Sequence, residues 1–87
     1  MNAPRVIRGV VRDAAGAAVA QASVFFVRGP GRLPDVAALT DGQGRFALTA
    51  PRAGDYVIGS YADASGAAQV AVAVGIDDVV IEITLTR

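Results

Sequence analysis

The residues with spacing most suggestive of chemistry lie in "TDGQGRF", Thr40 to Phe46, and three different devices share that lettering. Gly42, Gly44 and Ala47 fit the spacing G-x-G-x-x-A of a dinucleotide turn, which works by opening a helix whose first amides face a pyrophosphate. Pro51 and Gly54 leave no room for a helix after Ala47, so the context rejects that device. A calcium loop needs several oxygens converging on one ion, and Asp41 with the Gln43 amide supplies a single carboxylate. A strand reversal needs less. Asp41 can accept from amides two residues on, and Gly42 and Gly44 tolerate the positive φ of a tight turn. The stretch is therefore read as a hairpin or corner between two strands.

Little other chemistry is available. The chain has no Cys and no His, which removes thiol nucleophiles, imidazole bases, disulfides and zinc sites built on those ligands. Asp77 and Asp78 form a carboxylate pair in name, but neighbours in a strand face opposite ways and neighbours in a turn are solvated. No catalytic, cofactor-binding or metal-binding residue is expected, and the chain is not read as an enzyme. Formal net charge is zero, so no global field gathers nucleic acid or an anionic membrane surface. The charge is nonetheless split. Residues 1–52 carry seven Arg against Asp13, Asp35 and Asp41, whereas residues 53–87 carry Arg87 against Asp55, Asp63, Asp77, Asp78 and Glu82. Strands from the two halves are expected to pair and offset these charges. No apolar run approaches the ~20 residues of a membrane helix, and "MNAPRVIRG" lacks the apolar stretch of a signal peptide. A cytoplasmic location follows as the expectation, or an extracytoplasmic one if the chain is an excised domain.

These residues must be positioned by strands. At 87 residues one domain, 1–87, is the natural reading. Turn residues recur about every 8–12 positions, the rhythm of an all-β sandwich. "RVIRGVVR" alternates Ile7, Gly9 and Val11 with Val6, Arg8, Val10 and Arg12, which is strand period. Further strands are expected at about 22–28, in "DVAALT" (35–40), in "RFALT" (45–49), through Tyr56 to Tyr61, in "AAQVAVAV" (67–74) and at 79–86. The Gly and Pro cluster Gly29 to Pro34 forms a long loop. The Ala-rich patches are too short, too interrupted by Gly16 or too strictly alternating for a long helix.

Ile7, Gly9, Val11, Asp13 and Gly16, then Val19, Ala22 and Val24, then "TDGQGRFAL", then "AGDY" and Ile58, resemble the pattern of carboxypeptidase regulatory-like domains. The resemblance implies a prealbumin-like (transthyretin-like) Greek-key β-sandwich of about seven strands. It implies an accessory role rather than one activity, since such modules are appended to peptidases, outer-membrane receptors and adhesins and to the spike or cap of contractile injection particles. The related transthyretin-like hydrolases of purine degradation use His residues and a C-terminal Ser/Tyr/Arg-rich motif, and this chain has no His and ends "EITLTR". Related adhesin modules are stiffened by a Lys to Asn isopeptide bond, which a chain without Lys cannot form.

The expected function is a non-catalytic structural or protein docking module, with a protein partner or a second copy as the contact. Val6, Val10, Val57 and Val80 fall on faces opposite the core and form the candidate interaction surface. The competing reading is a small-ligand or glycan module in which Phe25, Arg32 and Tyr61 line one groove.

Overall fold

A computed structural model describes residues 5–33 and 37–87. Its strands are β1 (Arg5–Arg12), β2 (Ser23–Arg28), β3 (Ala38–Leu39), β4 (Arg45–Ala50), β5 (Gly54–Ala62), β6 (Gly66–Val74) and β7 (Val79–Thr84). They form two sheets, β4-β1-β7 and β3-β2-β5-β6, and the described residues contain no helix. The chain is thus a prealbumin-like β-sandwich. Neighbouring strands are antiparallel except β1 and β7, which run parallel. The expected third strand shortens to Ala38–Leu39, and positions 35 and 36 of "DVAALT" lie outside the described residues, as does Pro34 of the preceding loop. The last strand ends at Thr84, with Thr86 forming an isolated bridge to Ala67.

Alternation in the sequence becomes alternation in burial. On β1, Ile7, Gly9 and Val11 are buried while Arg8 is exposed, and on β4 Phe46, Leu48 and Ala50 are buried while Arg45, Ala47 and Thr49 are exposed. The facing sheet contributes Val24, Tyr56, Ile58, Val72 and Val74, and Ile83 and Leu85 close the core at the C-terminal end. Gly9 sits directly opposite Phe46 in the β1/β4 register. A Cβ at Gly9 would lie 2.7 Å from the Phe46 ring and would also strike the Ile81 carbonyl, so the missing side chain is what admits the ring. Tyr56 is held at both ends. Its ring packs 5.2 Å from that of Phe26, and its hydroxyl donates to the Arg52 carbonyl at 2.6 Å while accepting from the Arg52 amide at 3.3 Å.

The opening question is answered by the turn geometry. Asp41 Oδ1 accepts from the amides of Gln43 and Arg45, both at 2.9 Å, and the Asp41 carbonyl accepts from Gly44 at 3.0 Å. The carboxylate is occupied by its own backbone, and the stretch reverses the chain between β3 and β4. One expectation is corrected. Gly44 adopts φ +76, but Gly42 does not have positive φ and stands in open space, so the turn needs one glycine rather than two. The same device occurs at Asp13, whose Oδ1 accepts from Ala15 and Ala17 and whose carbonyl accepts from Gly16, at φ +89. Both are Asp-x-x-Gly turns and both abut one end of the sandwich, where Val11 donates to the Gly44 carbonyl at 2.8 Å.

Beside these turns, the buried Thr40 hydroxyl donates to the Val19 carbonyl at 2.6 Å and accepts from the Ala22 amide at 2.9 Å. It clamps the connection into β2, where Gln21 takes φ +58. Ser60, in contrast, is buried with its hydroxyl unpartnered.

Two stability measurements follow. Truncating Phe46 to Ala should cost about 3–5 kcal/mol by urea unfolding, because the cavity would open over a glycine that cannot fill it. Thr40→Val should cost about 1–3 kcal/mol, since it strands a buried amide and carbonyl, whereas Ser60→Ala, which removes an orphaned hydroxyl, should leave the unfolding midpoint unchanged or raise it.

Candidate interaction surface

The sandwich has two outer faces, and they differ in character. On the β4-β1-β7 sheet, Val6, Arg8, Val10 and Arg12 project outward from β1, and the register sets Arg8 beside Val80 and Val10 between Arg45 and Glu82. Arg8 pairs with Asp78 and Arg12 with Glu82, each at 3.0 Å. The basic first half and acidic second half therefore do offset each other across β1 and β7, through exposed pairs worth about 0–1 kcal/mol each. Val80 is 80% exposed, while Val6 and Val10 are half-buried. On this face Val10 and Val80 line one open depression with Leu39 and Ala47, bordered by Arg8 and Arg45.

Val57 lies elsewhere. It projects from β5 on the outer face of the other sheet, so the four valines are divided three to one between opposite sides of the molecule. There it shares a face with Phe25 and Val27 of β2, Gly59 and Tyr61 of β5, and Ala67, Gln69, Ala71 and Ala73 of β6. Phe25 is directly opposite Gly59, and a Cβ at Gly59 would lie 2.6 Å from its ring. The ring lies flat on the sheet, repeating outside the sandwich the glycine and phenylalanine pairing that Phe46 and Gly9 make within. The exposed Arg28 stands opposite Val57 at the end of β2, so charge on this face gathers at Arg28 and Asp55, while Gly59 and Tyr61 have only the uncharged Phe25, Ser23, Ala67 and Gln69 across from them.

Phe25 and Tyr61 line one open depression together with Gly59, Ala67 and Gln69. Tyr61 is half exposed, and its hydroxyl donates to Asp63 Oδ1 at 2.7 Å, a bond to a carboxylate that holds the phenol above its ordinary pKa. Arg32 does not join them. The loop it belongs to packs at the other end of β5, with Pro30 against Gly54 and Gly31 against the Arg52 guanidinium. Seven residues of strand, roughly 23 Å, separate Gly54 from Tyr61. The expected groove therefore forms with two of its three residues. Alternation told inward from outward, but nothing in the strand patterns marked which sheet each strand would join, and that is what regrouped Val57 with the aromatics.

Among the described residues no three acidic side chains converge as a metal site would require, and no helix is long and apolar enough to cross a membrane. The acidic groups that stand out have structural partners. Asp41 is held below the ordinary aspartate pKa by the Arg45 and Gln43 amides, and Asp78 by the Val6 amide and then by Arg8. What the fold and these faces define is a small prealbumin-like sandwich. The model of the carboxypeptidase regulatory-like domain matches residues 6–86, and the chain belongs to that family. No curated protein matches the chain. Domains of this family are non-catalytic.

The two depressed carboxylates generate a pH dependence. A carboxylate with a lower pKa when folded contributes stability above its unfolded pKa, and that contribution disappears as pH falls through the folded value. Urea midpoints should thus hold steady from neutral pH and decline below about pH 3.9, the ordinary aspartate value. In Asp41→Asn the midpoint should be lower at neutral pH and the acid decline shallower.

Proposed function

We propose that this chain is a non-catalytic docking module, an appended domain or component of a larger assembly such as a contractile injection particle, acting in the cytoplasm. The observation that carries the reading is the apolar stretch of the outer face of the β3-β2-β5-β6 sheet around Phe25, Val57 and Tyr61, which has Arg28 and Asp55 at one end and uncharged cross-strand neighbours beyond them. An outer sheet face in a thin sandwich is normally wet and studded with charge, as the opposite face of this molecule is. Depletion of charge around exposed aromatic and aliphatic side chains is the composition of an interface core.

A second reading, a small-ligand or glycan module, is favoured by the depression that Phe25, Tyr61 and Gln69 share. It has the half-exposed Tyr61 ring as a stacking platform and lacks the Arg32 loop.

Affinity capture from the source cell with three baits tests the docking reading. A partner should be retained by the wild-type domain and by Val80→Lys, which alters the already charged face, and lost with Val57→Lys. A bait that retains nothing, or retention equally insensitive to both changes, contradicts it. Saturation-transfer NMR with simple sugars that labels Tyr61 would favour the second reading.

A further inference from the structure

β6 is the outer strand of its sheet, paired along its length with β5 and bridged on its other side to Thr86 at Ala67. Its nine residues, "GAAQVAVAV", include no charge and no proline, and its pairing with β5 runs without a bulge. Exposed edges are ordinarily protected by shortness, charge, proline or bulges. The other edges here are protected in those ways: β3 is two residues long, β4 opens on Arg45 and is followed by Pro51, and β7 carries Glu82.

The direction of the β6 backbone groups follows from one contact. Ala67 donates to the Thr86 carbonyl at 3.0 Å and accepts from the Thr86 amide at 3.1 Å, so its N–H and C=O point away from β5. In an antiparallel ladder that orientation recurs every second residue. Gln69, Ala71 and Ala73 therefore present their amides and carbonyls outward, beyond the stretch that Thr86 covers.

We infer that β6 pairs edge to edge with β6 of a second copy of this chain, antiparallel about a two-fold axis at Ala71, joining two four-stranded sheets into one. Such a contact must be self-complementary, with each residue meeting its symmetry mate. Centred on Ala71, it sets Gln69 opposite Ala73 of the second copy and Ala71 opposite itself, so every outward amide meets an outward carbonyl. A charged residue near the axis would face its own charge, and β6 has none. The alanines leave the backbones free to approach, and the faces stay in phase, which extends the uncharged outer side of β6 across both copies. The inference goes beyond the docking reading, because it concerns the strand edge and names the occupant.

Light scattering from micromolar to millimolar concentration tests it on wild type, Ala71→Pro and Ala71→Asp. Proline at an outward amide removes no bond of the monomer yet blocks the edge, and aspartate sets like charges across the axis. The wild-type mass should rise from 8.8 kDa towards twice that value, and both variants should stay at the single-chain mass with unchanged strand signal by circular dichroism. If proline disturbs that signal, the aspartate variant gives the result alone. Val57→Lys, on the docking face, should dimerise like wild type. A wild-type mass constant to millimolar concentration overturns the inference, as does association that survives both edge variants.

Discussion

The absence of a side chain at Gly9 is the constraint on which the rest of this sandwich depends. β1 is the central strand of its sheet, and the bulkiest ring contributed by that sheet, Phe46, sits directly across from Gly9 on β4. Only a position without Cβ lets the ring lie down over the strand and meet Tyr56 and Ile58 from the other sheet in the shared core. A chain this short has few large residues, so one ring that fits carries a large share of the burial. The outer surface uses the same solution for a different result. Phe25 folded over Gly59 gives a flat apolar face where an alternating strand would otherwise have raised a ridge.

Much of this was readable from residue order. Period-two alternation in "RVIRGVVR", "RFALTA" and "AAQVAVAV" assigned inward and outward positions along β1, β4 and β6, and the Asp41 turn followed from an aspartate placed to accept from the amides ahead of it. The family pattern from Ile7 to Ile58 is the product of these structural residues, which is why it was informative about fold and silent about activity. Other features were hidden for physical reasons. Alternation does not report which sheet a strand joins, so Val57 could not be separated from Val6, Val10 and Val80 until the crossovers were known. Gly42 and Gly44 look equivalent in the lettering, although the turn requires positive φ at Gly44 alone. Thr40 resembles any strand-end threonine, and its clamp on Val19 and Ala22 exists only because residues some twenty positions earlier fold back against it.

The two faces divide the labour of the surface. Arg8, Arg12, Asp78 and Glu82 make one side solvated and locally neutralised, with the depression at Val10 and Val80 bordered by Arg8 and Arg45. The other side combines a largely apolar face with an edge strand that is open beyond the Thr86 bridge at Ala67 and has no charge or proline. Both apolar face and open edge belong to the same sheet, and the lowered carboxylates of Asp41 and Asp78 lie in a turn and an ion pair that hold the fold together. On the proposed reading, the capacity for contact lies on the β3-β2-β5-β6 sheet.

Amide hydrogen exchange along β6, followed by NMR at low and high protein concentration, tests that claim most directly. In dilute solution the amides of Gln69, Ala71 and Ala73 should exchange fast while those of Val70, Val72 and Val74, directed at β5, are protected; at high concentration the first three should become protected too. Uniform protection along the strand at low concentration, or fast exchange of Gln69, Ala71 and Ala73 at every concentration, would contradict the account.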